Sequence, residues 1–231
     1  MGTVLCFSGG LDSLIAWFYL NKPKAIYFAA GHRYEQKEWM ACEALMRRIP
    51  ELKVVRDTSL FLGRWEQGDK AFIKNRNLLY ATIASNYGNE IVMAGIKGDN
   101  ISDKSPEAFQ AMTGMLDIIN PSEKYRVYSP FWEMSKTDIV KWYVKEGHPV
   151  AHLRASVSCY NKDEEGQCGE CPSCFRKWIA LESAGISCQS WFNKSPAYWS
   201  GAKVYKVDML NGKYDKQRTE ETLAVLEKYG V

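Results

Sequence analysis

Residues 8–13, Ser-Gly-Gly-Leu-Asp-Ser, have the composition of a loop that binds phosphate groups. They lie between residues 3–7, an apolar segment that predicts a buried strand, and residues 12–20, which predict a helix. Two glycines allow a tight turn whose backbone N–H groups can approach a phosphate, and the helix directs the positive end of its dipole at the same point. Asp12 favours a phosphate only when a cation accompanies it, so we expect Mg²⁺ there.

The loop is not of the Walker type, because it lacks the Gly-Lys-Ser/Thr sequence. The alternative interpretation is a glycine-containing turn in which Asp12 or Ser13 only caps the helix. Its position between a strand and a helix favours phosphate binding, since nucleotide phosphates meet helix N-termini at such turns in α/β proteins.

Four of the seven cysteines are clustered, and their spacing is typical of a metal site. Cys159, Cys168, Cys171 and Cys174 would supply the four thiolates of a tetrahedral Zn²⁺ site. Four thiolates fill the coordination shell and leave no position for a reactive water, so we expect a structural zinc. An iron–sulfur cluster and a coincidental group of buried cysteines are the alternatives. The other three cysteines, at positions 6, 42 and 188, are interpreted as small apolar residues.

The elements that hold these two sites alternate along the chain. Four apolar strand segments alternate with helical segments, which predicts an α/β fold with a doubly wound parallel sheet. Ligands bind such sheets at the carboxyl ends of the strands. The predicted strands are residues 3–7, 25–30, 52–55 and 91–94, the helices between them are residues 12–20, 35–49 and 77–87, and polar segments follow the strands at residues 8–13, 31–35 and 95–103.

The second half of the chain is predicted to be mostly helical. We divide the chain into a phosphate-loop domain, residues 1–150, a zinc-binding subdomain, residues 151–185, and a C-terminal extension of unknown role, residues 186–231. The predicted elements are helices at residues 106–118, 135–146 (with Ser135 as N-cap), 172–184 and 219–229, a strand at residues 203–208 and an Asn-Gly turn at residues 211–212.

Charge and hydropathy exclude several classes of protein. The net charge of +3 is too small to indicate a nucleic-acid-binding protein by itself. No apolar run approaches the roughly 18–20 residues that span a bilayer, and the N-terminus lacks the basic segment of a secretory signal. We therefore expect a cytoplasmic protein with no membrane partner and no direct nucleic-acid partner.

The loop resembles the pyrophosphate loop of the N-type ATP pyrophosphatases, Ser-Gly-Gly-x-Asp-Ser. Together with the cysteine motif it resembles the 7-cyano-7-deazaguanine synthase (QueC) family. The segments that carry this resemblance are Ser-Cys-Tyr at 158–160, Cys-Gly-x-Cys-x-x-Cys at 168–174, Gly-His-Arg-Tyr at 31–34 with Glu38, Asn-Arg-Asn at 75–77, residues 95–103, and Ser-Pro at 129–130 with Ser-Lys at 135–136.

The resemblance implies a reaction in which ATP transfers AMP to the carboxylate of 7-carboxy-7-deazaguanine and ammonia displaces it. A second adenylation, of the resulting amide, would give 7-cyano-7-deazaguanine. It also implies a homodimer, with ATP, Mg²⁺ and a structural Zn²⁺ as the bound groups. The implied site residues are Ser8, Asp12, Ser13, Arg76 and Lys136 for catalysis, Phe7, Ser8, Gly9, Gly10, Leu11, Asp12, Ser13 and Gly95 for the nucleotide, and Arg33, Asn77, Asp99 and Asp103 for the substrate.

Three alternatives remain open. Residues 99–103 lack the Gly-Tyr-Pro of the family, so the reaction could stop at 7-amido-7-deazaguanine. A tRNA-modifying enzyme of the same superfamily would adenylate and thiolate a base, but it would need a catalytic cysteine and a basic extension. A zinc-stapled module without catalysis could stack bases on its tryptophan-rich tail. For Asp99 and Asp103, the alternative to base recognition is capping of a nearby helix.

Overall fold

The sheet is parallel throughout, as the alternation of elements predicts. A computed structural model describes residues 2–68, 72–99, 102–161 and 165–231. Its strands are β1 (Thr3–Cys6), β2 (Lys24–Phe28), β3 (Val54–Asp57), β4 (Glu90–Val92) and β5 (Arg126–Tyr128), in the spatial order β3-β2-β1-β4-β5. Each neighbouring pair is parallel, and the register of β1 pairs Val4 with Lys24 of β2 and with Ile91 of β4.

Nine helices of the described chain surround this sheet. They are α1 (Leu11–Tyr19), α2 (Glu35–Arg48), α3 (Arg76–Ala84), α4 (Pro106–Ile119), α5 (Lys136–Lys145), α6 (Val150–Ala155), α7 (Pro172–Ser183), α8 (Ser200–Leu210) and α9 (Lys216–Lys228). None of these described helices is long and apolar enough to cross a membrane.

Both faces of the sheet are covered, which confirms the doubly wound arrangement. Successive residues of a strand point to opposite faces. Leu5 accordingly packs in the core shared with α1, α2, α5 and α7, whereas Val4 packs in the core shared with α3 and α4. The chain proceeds outward from β1 to β2 and β3, then returns to the other side of β1 as β4. The loop after β1 therefore lies where the direction of winding reverses, the position at which α/β proteins bind ligands.

The predicted strand at residues 203–208 is wrong, because this segment belongs to α8. Ala202 and Met209 are buried and Tyr205 is half-buried, so the inward-facing residues follow the helical spacing i, i+3, i+7. Val204 and Val207, the β-branched residues of this segment, are more than half exposed.

Two elements have no counterpart in the sequence prediction. β5 has three residues and α6 has six, and both are too short for a periodic pattern to stand out. The other predicted elements are confirmed, with ends that differ by a few residues. Ser135 caps α5 as predicted: it accepts a hydrogen bond from Asp138 N, and Asp138 accepts one from Ser135 N.

Candidate functional site

The loop between β1 and α1 is held by its own serines and by the start of α2. Ser13 Oγ donates to Gly10 O at 3.1 Å, and the backbone N–H of Gly10 donates to Ser8 Oγ at 3.3 Å. Gly9 has φ of +69°, and a Cβ there would lie 2.9 Å from Glu38 O. Glycine is therefore required at this position both by its backbone conformation and by the close approach of α2.

A second segment runs beside the loop and is supported from beneath by a buried lysine. Val157 N donates to Gly9 O at 2.9 Å, and Gly10 and Val157 form a parallel bridge. The fully buried Lys177 donates from Nζ to Ser156 O at 2.6 Å and to Ser156 Oγ at 3.0 Å. Burial lowers the pKa of Lys177 to about 7. Thus α7 helps to fix the position of the phosphate loop through residues 156–157.

Asp12 and Lys136 form an ion pair at the entrance to α1. Lys136 Nζ lies 2.6 Å from Asp12 Oδ2 and also contacts Oδ1. Asp12 is in the first turn of α1, and Lys136 is the first residue of α5. The side chains are 22% and 17% exposed, so the pair is partly shielded but can be reached by a ligand. One carboxylate facing the phosphate site suits Mg²⁺, which proteins commonly hold with one or two carboxylates plus phosphate oxygens.

Further cations lie on the Lys136 side of the site. Lys104 Nζ lies 3.0 Å from Asp99 Oδ2. Burial acts to raise the pKa of Asp99, but the charges of Lys104, Lys136 and Arg176 outweigh it and hold that pKa below its usual range. Arg176 is half-buried, and its Nε is buried without a hydrogen-bond partner within the described part of the chain. This side can therefore neutralise more negative charge than Asp99 and Asp12 supply.

A second polar group surrounds Arg76. Its Nη1 donates to the Tyr34 hydroxyl at 2.6 Å. His32 Nε2 lies 2.9 Å from Glu38 Oε2, and the ring of His32 meets that of Tyr34 edge-on with centroids 4.4 Å apart. Tyr160, from the segment beside the loop, packs on Tyr34 at 4.8 Å. Arg76 is thus oriented by a network that joins the segment after β2 to the start of α3.

One cleft brings most of the predicted site residues together. It has a volume of about 240 Å³ and is open to solvent at its mouth. The predicted residues that line it are Phe7, Ser8, Gly10, Leu11, Asp12, Ser13, Arg76, Asn77, Asp99 and Lys136.

Four predicted residues lie elsewhere in the described structure. Asp103 accepts hydrogen bonds from Asn77 N at 3.2 Å and from Asn77 Nδ2 at 3.0 Å, so it caps α3. Arg33 pairs with Glu66, and its Nη2 donates to Gly68 O at 2.7 Å. Gly9 lies behind the loop against α2, and Gly95 faces the Trp132 ring. Their assignment to nucleotide or substrate stays a prediction.

Arg176 and Ser173 line the cleft but were not among the predicted site residues. They are three residues apart at the start of α7, so both lie on the face that turns toward the loop. The sequence did contain a signal. If Cys171 and Cys174 bind a metal at the start of a helix, Ser173 and Arg176, spaced i, i+3 on the adjoining face, are held close to that metal. Lys104 and Tyr160 were missed because no spacing rule connects them to the loop.

The four clustered cysteines can hold a metal ion. Their Sγ atoms all lie within 4.8 Å of one another, and those of Cys168 and Cys174 are 3.9 Å apart. A tetrahedral zinc with bonds of about 2.3 Å requires sulfurs about 3.8 Å apart, so the arrangement fits. Backbone N–H groups of Glu170 and Cys174 donate to the Sγ atoms of Cys168 and Cys171, at 3.3 and 3.4 Å, as expected for thiolate ligands.

Fold and site together define a nucleotide-binding type of α/β protein with a cluster of four cysteines that can hold a metal ion. A family model described as "Queuosine biosynthesis protein QueC" matches residues 63–185. A protein from Thermoplasma volcanium, named 7-cyano-7-deazaguanine synthase, is 30% identical over 229 residues, covering 85% of this chain and 93% of the relative. Relatives of the same name from Acidobacterium capsulatum (25% identical, covering 78% and 92%) and Methanococcus aeolicus (26%, covering 80% and 97%) agree. The chain belongs to the QueC family.

Proposed function

We propose that this protein uses ATP to convert 7-carboxy-7-deazaguanine and ammonia into 7-cyano-7-deazaguanine. The observation that carries the proposal is the juxtaposition of the loop, Asp12 and Lys136 with the oriented guanidinium of Arg76 in one cleft. A carboxylate must approach an anionic triphosphate in this reaction, and a cleft with cations at both ends can accommodate the two anions. The shared name of the relatives, 7-cyano-7-deazaguanine synthase, supports the identity of the product.

In the proposed mechanism, Arg76 holds the substrate carboxylate, because a guanidinium can bind both oxygens at once. One carboxylate oxygen attacks the α-phosphorus of ATP, and pyrophosphate leaves. The N–H groups of the loop, Ser8, Ser13 and Lys136 stabilise the charge that develops on the phosphates. Mg²⁺ bound at Asp12 would add further neutralisation. Cys159, Cys168, Cys171 and Cys174 would hold a structural Zn²⁺, and residues 156–157, next to Cys159, support the outer side of the loop.

Ammonia then displaces AMP from the acyl adenylate and leaves an amide. Adenylation of the amide oxygen by a second ATP, followed by loss of AMP and a proton, yields the nitrile. Both oxygens of the original carboxylate thus leave in AMP, one in each cycle. Sequestration in the cleft protects the acyl adenylate from water.

The experiment is a product assay with the acid labelled by ¹⁸O in both carboxylate oxygens, together with ATP, Mg²⁺ and ammonium. The proposal predicts the nitrile by mass spectrometry, two AMP and two pyrophosphate per nitrile, and one ¹⁸O in each AMP. Formation of ADP and phosphate instead, or of no nucleotide product at all, would sink the proposal.

A second candidate is an enzyme that stops at the amide. The observation that favours it is the departure of residues 99–103 from the family sequence, together with the pairing of Asp99 with Lys104. Residues 100 and 101 lie outside the described residues. The same assay separates the two reactions, since the amide requires one AMP per product and retains one ¹⁸O.

We also propose a cytoplasmic homodimer that acts on the free base rather than on nucleic acid. The support is the family resemblance and the modest net charge of +3. Sedimentation analysis measures the oligomeric state, and a tRNA that increases ATP consumption would contradict the free-base substrate.

A further inference from the structure

A second compartment opens beside the cleft, and the C-terminal tail forms one of its walls. Asp99, Lys136 and Arg176 line both spaces, so the compartment and the cleft share a boundary. The tail, residues 186–231, contributes α8 and α9, and Arg218 of α9 lines the compartment. This tail lies outside the residues that the QueC family model matches.

The tail is attached at the residues on either side of Lys136. Thr137 Oγ1 donates to Glu221 Oε2 at 2.6 Å. Gln217 Nε2 donates to Ser135 Oγ at 3.2 Å and to the Asp138 carboxylate at 3.0 Å. Because these contacts flank Lys136, the first turn of α9 is held directly beside the phosphate end of the cleft.

Arg218 lies in that first turn and faces the loop after β4. Its guanidinium stacks on the Tyr214 ring with Cζ 4.4 Å from the centroid. A Cβ at Gly98 would lie 3.8 Å from Arg218 Nη1, which shows how closely α9 approaches residues 96–99. Burial lowers the pKa of Arg218, and the nearby charge of Arg176 lowers it further. The two guanidinium groups therefore destabilise each other in this structure.

Neither guanidinium forms a close ion pair within the described part of the chain, although the charges of Asp99 and Asp12 act on Arg176 and that of Asp215 acts on Arg218. The ion pairs there engage Arg33 and Arg56 but neither Arg176 nor Arg218. Arg176 Nε in addition is buried without a partner among the described residues. Two neighbouring, partly desolvated guanidinium groups that lack a carboxylate in direct contact favour the binding of an anion between them.

We propose that Arg218 of the C-terminal tail, together with Arg176, binds the β- and γ-phosphates of ATP where the cleft meets the second compartment. The inference rests on the proposed function, because it assigns ATP to the cleft. The loop contains no lysine, unlike a Walker loop, so its phosphate charge must be neutralised by cations from elsewhere. Lys136 and Arg176 line the cleft with Asp12 and line the second compartment with Arg218, whereas Arg76 is oriented separately by Tyr34 and suits the acid substrate.

The test compares the binding of three ligands, ATP, pyrophosphate and AMP, each with Mg²⁺, by titration calorimetry on the full chain. Arg218→Ala should weaken the binding of ATP and of pyrophosphate by about tenfold or more, since a charged hydrogen bond to phosphate is lost. AMP lacks the two phosphates, so its affinity should stay unchanged. Arg218→Lys, which keeps the charge but not the forked donors, should recover part of the loss.

Lys216→Ala is the matched control, because it removes a positive charge from the same turn of α9 at a side chain that is 88% exposed. It should leave all three affinities within about twofold of the wild type. If Arg218→Ala disturbs the fold in general, it should also weaken the binding of AMP and lower the melting temperature. That outcome would overturn the assignment.

The remaining outcomes are also decisive. If Arg218→Ala loses affinity for the acid substrate but not for pyrophosphate, Arg218 binds the carboxylate. If the affinities of Arg218→Ala equal those of Lys216→Ala, Arg218 binds neither ligand. Both results refute this inference while leaving the proposed function intact. Failure of the wild type to bind ATP or pyrophosphate would instead refute the proposed function.

Discussion

Asp12 is the residue whose proposed role is most sharply testable. Asp12→Ala removes the carboxylate that pairs with Lys136 and would hold Mg²⁺, so turnover should fall by roughly 100-fold or more, in the range found when a transition-state contact is removed. Zinc content should stay at one ion per chain, because the cysteine site does not involve Asp12. Initial rates and metal analysis of the purified variant measure both quantities.

Asp208→Ala is the control for this change. Asp208 also pairs with a lysine, Lys213, at 2.6 Å, but on the surface of α8. Its removal should leave turnover unchanged, since exposed ion pairs contribute little. Turnover near the wild-type rate in Asp12→Ala would remove Asp12 from the catalytic residues.

Lys177 makes a pH-dependent contribution to stability. Burial lowers its pKa to about 7, whereas an unfolded lysine titrates near pH 10.4. Between these values the unfolded chain holds a proton that the folded chain has lost, so stability rises with pH across this window. Relative to Lys177→Met, the wild type should therefore gain about 1 kcal/mol per pH unit between pH 7.5 and 9.5.

Urea unfolding at several pH values measures this difference, with the exposed Lys203→Met as control. The control should show a constant difference from the wild type across the same range. A constant difference for Lys177→Met would mean that the buried ammonium keeps its ordinary pKa.

At the residue scale, the sequence identifies groups whose chemistry depends on local spacing. Residues 8–13 and the four cysteines could be singled out because a loop and a metal motif place their ligands within one or two turns. Arg218 could not, because its position near Arg176 depends on how α9 packs against the loop after β4. Asp103 shows the converse: it follows β4 in sequence, as a site residue would, yet its carboxylate caps α3.

At the scale of elements, the segment from Ser156 to Cys159 connects the metal site to the phosphate loop. Val157 donates to Gly9 O at 2.9 Å, and Cys159, two residues later, is a metal ligand candidate. Removal of zinc should release this segment and weaken AMP binding, because the loop loses its outer support. Dialysis against a zinc chelator followed by titration calorimetry measures the effect.

Readdition of Zn²⁺ to the dialysed protein should restore AMP binding, whereas Mg²⁺ alone should not. An unchanged AMP affinity in protein shown to lack zinc would mean that the loop holds its shape without the metal. The zinc would then stabilise only residues 159–174.

The elements that sequence periodicity predicts correctly are those with one strongly apolar face or a clear cap. The strands of the sheet centre and helix α5, capped by Ser135, belong to this group. The strand expected at residues 203–208 was wrong because α8 buries only Ala202 and Met209 and exposes its two valines, so its apolar residues mark no clear helical face. Short elements such as β5 depend on their neighbours in the sheet, and local sequence carries little information about them.

At the scale of the whole molecule, the tail shares the core of the nucleotide-binding sheet. Val225 and Leu226 of α9 and Ala202 of α8 are buried in the same cluster as Leu5 of β1 and Trp178 of α7. Trp199 and Tyr205 pack against Phe175 with centroids 5.8 and 5.2 Å away. These aromatic residues of the tail thus serve packing, whereas Tyr198 is 72% exposed.

This shared core predicts that the tail and the sheet unfold together. Leu226→Ala removes a fully buried side chain and should cost about 2–5 kcal/mol of unfolding free energy. Leu210→Ala is the matched control, since that leucine is 66% exposed at the end of α8 and its loss should cost less than about 0.5 kcal/mol. Urea unfolding followed by both tryptophan fluorescence and far-ultraviolet circular dichroism should give coincident transitions for both variants, with only that of Leu226→Ala shifted.

An early separate transition in Leu226→Ala, with ATP binding retained after it, would show instead that the tail is an independent unit. Arg218 could then be detached from the phosphates without loss of the fold.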